Sequence, residues 1–456
     1  MSVSAILVLL GLNLWLLAVG NALVFGLRGW ESWSELGRLL GLGYMLGIAT
    51  LGVVWVWQLT IGIHMTIGTI FVTGILVAAF GVIAGIRRGC RLPPTARRRI
   101  GLPRLSLVAG VFAALTGIYL EALFRAGRLA GLYEFDAWLF WVPKAKAIYS
   151  FGAFDAQFLR DVPNSSYPPL VPSLEAAAFH FMGAMDVATL HLQFWFFLFG
   201  FVAAVIGLLS RNVPGLLLWT PLLLVLVTPH VVGYALQPQA DFLLDELFAV
   251  AVLLVAVWLV VRADWMLAAA TPLLGAAMLT KREGYMFAAC LVAAALVASV
   301  RDARVTWPKL IVAALIAAAV TVPWHVFVAA HDLGNGASVV GGGILSNPGR
   351  AWPSFRLALS TLFDFHIWLV VIPLLVAAIV LAFAGGARRL PAYATCLSVF
   401  CLAGLTWSTW AFPSFPFTKE AAVNPIVRVS GGLVLWAATL TPLLLLRARG
   451  TRVEVR

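Results

Sequence analysis

The chain has 456 residues, 62% of them hydrophobic and only 11% charged, with a mean hydropathy of +0.98 and a net charge of +12. Soluble chains carry roughly 25% charged residues, so these values exclude a water-soluble globular protein and predict an all-α polytopic integral membrane protein. The positive charge is read as membrane sidedness, and no nucleic-acid partner is expected.

Long apolar runs of about 18 residues or more read as membrane-spanning helices. In chain order they predict thirteen spans, roughly at 3–26, 38–57, 63–86, 105–125, 186–209, 214–231, 242–261, 264–280, 284–300, 309–329, 366–384, 391–411 and 428–446. The first arginine is Arg28, so the first run is expected to be a retained helix, not a cleaved leader. Residues 171–183 are apolar but short and are expected to form a half-buried or re-entrant helix. Two regions follow: a three-helix segment at 1–104 that ends in a basic loop, and a larger region at 105–456.

Lysine and arginine concentrate in cytoplasmic loops. The loop 87–104 holds Arg87, Arg88, Arg91, Arg97, Arg98, Arg99 and Arg104, which places it inside. Alternation from there puts 20 of the 31 basic and 5 of the 19 acidic residues inside, giving +15 within and −3 without. The C-terminus then lies in the cytoplasm, and the long loops 126–185, 330–365 and 412–428 face outward. Long loops in compact proteins are usually functional, so chemistry is expected on that face.

The stretch EFDAWLFWVPKAKAIY, residues 134–149, opens the first outer loop and brings Asp136 together with Trp138, Trp141, Lys144 and Lys146. An interfacial aromatic belt accounts for the tryptophans but not for the charges. Further along, QPQADFLLDELF places Asp241 and Asp245 four residues apart on one helix face, either as a solvated helix end or as the lining of a polar cavity. LTKREGY sets Lys281, Arg282 and Glu283 between two apolar runs, against the positive-inside trend. Such a group reads as an anion site or as an internal salt bridge. Arg428 opens the last span, and SSYPPLVP brings Tyr167 close to the membrane surface on a proline-stiffened segment.

Other signals are absent or weak. Cys90, Cys290, Cys396 and Cys401 show no ligand-like spacing and read as small hydrophobes. The seven histidines form no HxxxH or HExxH pattern, and no GxxxxGK[ST] element is present, so neither a zinc site nor a soluble nucleotide donor is expected. Asn164 begins an NSS sequon that could arise by chance, and the glycine-rich stretch LGNGASVVGGGILSNPG reads as a linker or a lid.

The order of these parts resembles the GT-C glycosyltransferases, above all the family 39 type, with its protein O-mannosyltransferases and lipid A aminoarabinose transferases. The likeness runs from about the fourth span to the last. It implies a GT-C-like fold, an inverting transfer from a polyprenyl-phosphate sugar, and an acceptor that is a lipid, a glycan or a protein. By that resemblance Asp136 matches the first-loop catalytic acid, Asp241 the second acidic motif, Lys281 the lysine of the LTK element and Arg428 a late arginine near the donor phosphate. The chain differs in having no second acid directly after Asp136.

Elementary chemistry agrees with these roles. Transfer needs a base for the acceptor hydroxyl, here Asp136, and cations for the departing phosphate, here Lys281, Arg282 and Arg428, with Lys144 and Lys146 as further candidates. Trp138, Trp141 and Tyr167 could stack on sugar or line the lipid's way in. Asp241 would orient the acceptor or ligate a divalent metal, a cofactor the residues leave open. The resemblance implies a multi-pass protein of the bacterial plasma membrane with the site outside. The rivals are a polysaccharide ligase or polymerase, and a transporter or flippase of a lipid-linked or anionic solute, which would carry polar groups through the membrane's depth.

Overall fold

The computed structural model describes residues 3–93, 106–334, 347–411 and 425–449. Among them the regular elements are all helical, with no strand. The centre of the glycine-rich stretch, most of the third outer loop, and Arg97, Arg98, Arg99 and Arg104 of the basic loop lie outside the described residues.

The first region gives α1 (Val3–Arg28), α2 (Trp33–Thr60) and α3 (Ile67–Arg87), and the next span gives α4 (Leu107–Leu129). Each start after the first is signalled locally. The hydroxyls of Ser32, Thr66 and Ser106 accept a hydrogen bond from the backbone three residues on, and Thr66 with Thr69 closes a full capping box. The long loop then folds as a π-helical turn, Ala137–Trp141, running into α5 (Val142–Phe151), followed by α6 (Ala156–Asp161) and α7 (Leu170–Met182). Helix α7 falls on the short helix expected at 171–183, but it is buried from Leu170 to Phe179 and not half-buried.

Next come α8 (Val187–Leu209), α9 (Gly215–Leu226), α10 (Pro229–Tyr234), α11 (Ala240–Val261), α12 (Asp264–Thr280) and α13 (Glu283–Ala298). The chain closes with α14 (Ala303–Ala319), α15 (Val322–Ala330), α16 (Ala351–Leu362), α17 (Phe365–Trp368), α18 (Val371–Ala384), α19 (Arg389–Ala411) and α20 (Pro425–Ala448).

Nine helical runs among the described residues are long and apolar enough to cross a bilayer: α1–α4, α8, α11, the α14–α15 run, α19 and α20. The other four expected spans fall on α9, α12, α13 and α18, with 12, 17, 16 and 14 residues. At about 1.5 Å per residue the shortest reach only two-thirds of a hydrocarbon core of about 30 Å. Thirteen spans are therefore not established by length. Local breaks are the reason: Thr228–Pro229 stops α9, and Leu369, with φ of 52°, precedes α18.

The apolar helices approach closely where side chains are absent, the usual device when lipid offers no hydrophobic gain between helices. A Cβ on Gly20 of α1 would sit 1.7 Å from the carbonyl oxygen of Gly43 in α2. Helix α2 also lies along α8 and α12, while α11 packs along α12 and α20. Helix α11 is buried from Ala240 to Leu259. A helix enclosed on every side can carry charge only if protein supplies the partners. That constraint shapes the site.

Candidate functional site

Helices α11, α13 and α20 begin, and α12 ends, at one end of the bundle, the head end. Asp241 lies in the first turn of α11 and is almost wholly buried. Helix α12 stops at Thr280 and α13 starts at Glu283, which leaves Lys281 and Arg282 on a two-residue corner. Lys281 Nζ donates to Asp241 Oδ1 at 2.7 Å and lies 3.3 Å from Glu283 Oε1. Arg428, in the first turns of α20, reaches Asp241 Oδ2 at 2.6 Å and Asp136 Oδ2 at 2.5 Å with the same nitrogen, Nη2. Five groups of alternating sign thus run Asp136, Arg428, Asp241, Lys281, Glu283. Charge-assisted bonds at these distances are the strong ones.

A second layer leans on this row. Arg282 donates to Ser166 Oγ at 2.7 Å, and its guanidinium lies 5.2 Å above the Tyr167 ring. Trp141 and Phe140 pack on Tyr167, with centroids 5.9 and 6.0 Å away. Lys144 is buried beneath them, its Nζ donating to the Asn164 carbonyl at 2.6 Å and lying over the Phe140 and Trp141 rings. Asn164 turns the chain with φ of 56°, a left-handed conformation that asparagine tolerates.

The field here is uneven. Burial, with the Arg282 charge beside it, lowers the Lys144 ammonium to about 7. Burial would also lower Lys281, but the Asp241 and Glu283 carboxylates outweigh it and hold the ammonium above its ordinary value. Burial raises the Tyr167 phenol, helped by Glu283. Because the folded Lys144 value lies below the ordinary 10.5, the unfolded chain binds that proton more tightly across the interval between them. Stability should therefore rise with pH from about 7 towards about 10. Lys144→Met is expected to flatten that slope in thermal unfolding curves recorded in detergent across this range. An unchanged slope would show that Lys144 is ordinarily solvated.

The fold brings together Asp136, Trp141, Lys144, Tyr167, Asp241, Lys281, Arg282, Glu283 and Arg428. It leaves out two expected residues. Trp138 is half exposed and packs edge-on against Phe135. Lys146 is two residues from Lys144 on α5, and residues so spaced do not share a helix face. Among the described residues no three His, Cys, Asp or Glu side chains are arranged to hold a metal.

Several contributors escaped the sequence reading. Ser166 and Asn164 act through contacts more than a hundred and about twenty residues away in sequence, respectively. Asp245, which the sequence already placed on the Asp241 face, sits one turn below it against α20, where Gly431 and Gly432 lack side chains; a Cβ on Gly431 would lie 2.2 Å from its Oδ2. Asn13, Tyr44 and Gln193 form a buried hydrogen-bonded group joining α1, α2 and α8. The sequence signal for these was only a polar residue inside an apolar run.

A groove of about 1050 Å³ opens beside the charged corner. Tyr167, Arg282 and Glu283 line its head, and Ala289, Ala293 and Gly404 are among the small residues of α13 and α19 that line its length. Comparison with known proteins finds no matching family model, no matching curated protein and no matching solved structure. The class the fold defines is a multi-pass, all-helical membrane protein.

Proposed function

We propose that the chain is a membrane glycosyltransferase that moves a sugar from a polyprenyl-phosphate donor onto an acceptor hydroxyl of a lipid, glycan or protein. The reaction takes place at the extracytoplasmic face of the plasma membrane. One observation carries this reading: the charged corner stands at the head of a groove whose walls continue along two apolar helices. That combination suits a ligand with an anionic head and a long hydrocarbon tail. Arg282 and Glu283 line that head; next to them Asp136 and Asp241 pair with Arg428 and Lys281, so three carboxylates balance three cations, and Lys144, lowered to about 7 by burial, adds a partial positive charge. The excess suits a phosphodiester. Sidedness follows from the distribution of lysine and arginine.

In the reaction the acceptor oxygen attacks the anomeric carbon, and the bond from that carbon to the phosphate oxygen breaks, its electron pair leaving with the phosphate. Asp136 takes the hydroxyl proton. Arg428, Lys281 and Arg282 face the charge that grows on the phosphate. Tyr167 supplies a ring face beside the head, with Trp141 buried behind it as support, and Asp241 holds two of the cations in place.

Filling the groove tests the donor's tail. Ala293→Trp is expected to raise KM for the polyprenyl donor about tenfold or more and to leave kcat within about twofold, because it removes binding common to ground and transition states. An unchanged KM would remove the groove from the reading. A transporter of a lipid-linked solute is the second reading. It is favoured by the buried, hydrogen-bonded Asn13, Tyr44 and Gln193 group. These groups lie deep within long helices, where a transport path would need them.

A further inference from the structure

Resting on the transferase reading, we propose that Arg428 and Asp136 form a partner-exchanging lock. In the empty site the guanidinium holds the Asp136 carboxylate. The phosphate of an isoprenoid-phosphate ligand takes that carboxylate's place and frees it to accept a proton.

The two roles assigned to this pair exclude each other in the geometry observed. Asp136 Oδ2 already accepts a hydrogen bond from Arg428, and Arg428 Nη2 is already shared between two carboxylates. An arginine holding two acids through one nitrogen has donors to spare, since guanidinium carries five N–H groups. Its Nε finds no hydrogen-bond partner among the described residues. A phosphate is the ligand that uses this fork best, because it accepts two parallel bonds.

The exchange has a built-in direction. Asp241 is 4% exposed and is also held by Lys281 at 2.7 Å, so it stays charged and paired whichever partner Arg428 takes. Asp136 is 20% exposed, and its ion pair is with Arg428. Breaking a buried pair leaves an uncompensated charge, whereas a carboxylate at a wet edge is resolvated at little cost. Asp136 is therefore the partner that yields. It also immediately precedes the π-helical turn that starts at Ala137, a conformation that occurs mostly as single turns and is frequent at functional sites.

The consequence is that the base is held in the empty site and becomes competent only when a phosphate occupies the guanidinium. No covalent step is involved; one ion pair replaces another.

The test is the affinity of the full-length protein in detergent for farnesyl phosphate, an isoprenoid monophosphate that carries no sugar. Asp136→Asn removes the competing carboxylate, so it is expected to bind this probe about fivefold more tightly than the wild type. Asp136→Ser carries the same expectation should the asparagine variant fail to purify. A purely structural role for Asp136 would weaken binding instead. Equal or weaker binding by a folded variant overturns the exchange alone. Absence of binding by both wild type and variant overturns the phosphate donor and the exchange with it.

Discussion

Asp136→Asn is expected to lower the turnover of a polyprenyl-phosphate sugar by about 10²- to 10⁴-fold, the usual contribution of a positioned general base. The amide keeps the shape of the side chain and loses the ability to take a proton. Stability should barely change. The Asp136 pair with Arg428 is at the wet edge of the site, where such pairs contribute about 1 kcal/mol or less, and Arg428 keeps Asp241 as its partner. Rates of donor consumption beside thermal unfolding curves give both readings at once. Turnover retained within threefold in a folded variant would remove Asp136 from the chemistry.

Asp241→Asn is expected to fail in the opposite way. Lys281 and Arg428 converge on this one buried carboxylate from α12 and α20, and its loss leaves two cations short of a counter-charge inside the protein. Removing one partner of a buried pair typically costs about 3–5 kcal/mol. The expected result is a marked loss of thermal stability in detergent, with activity lost because little folded protein survives. A loss below about 1 kcal/mol would mean that Glu283 and Asp136 carry the cations by themselves, and that Asp241 is not the hub of the site.

The sequence showed much of this because charge in an apolar chain is conspicuous. Asp136, Asp241, Lys281 and Arg428 come from four distant segments, and each stood out as an ionisable group that lipid would not tolerate alone. Which acid meets which cation was another matter. Hydrophobic periodicity orients a helix face, but it says nothing about which distant helix end lies opposite, so the double pairing of Arg428 was not legible. Neutral polar residues were harder still. Asn13, Tyr44 and Gln193 hardly disturb the hydropathy of their spans, yet they bond to one another across three helices.

Span boundaries show the same limit. Apolar composition predicted one helix over 309–329, whereas α14 ends at Ala319 and α15 starts afresh at Val322. Pro323 explains the break: it has no N–H to offer the turn before it and is tolerated at a helix start. Lys144 and Lys146 read as a pair in sequence, but only Lys144 reaches the cluster, since two residues advance about 200° around a helix.

The central claim is that the charged corner and its groove hold a lipid-linked anion. Mass spectrometry of the lipids that copurify with the protein in mild detergent, after incubation with polyprenyl-phosphate sugars, tests it most directly. The account predicts a polyprenyl phosphate carrying a sugar, retained by the wild type and diminished in Ala293→Trp. Ordinary phospholipids alone, in both proteins, would contradict it and move the weight to the transport reading.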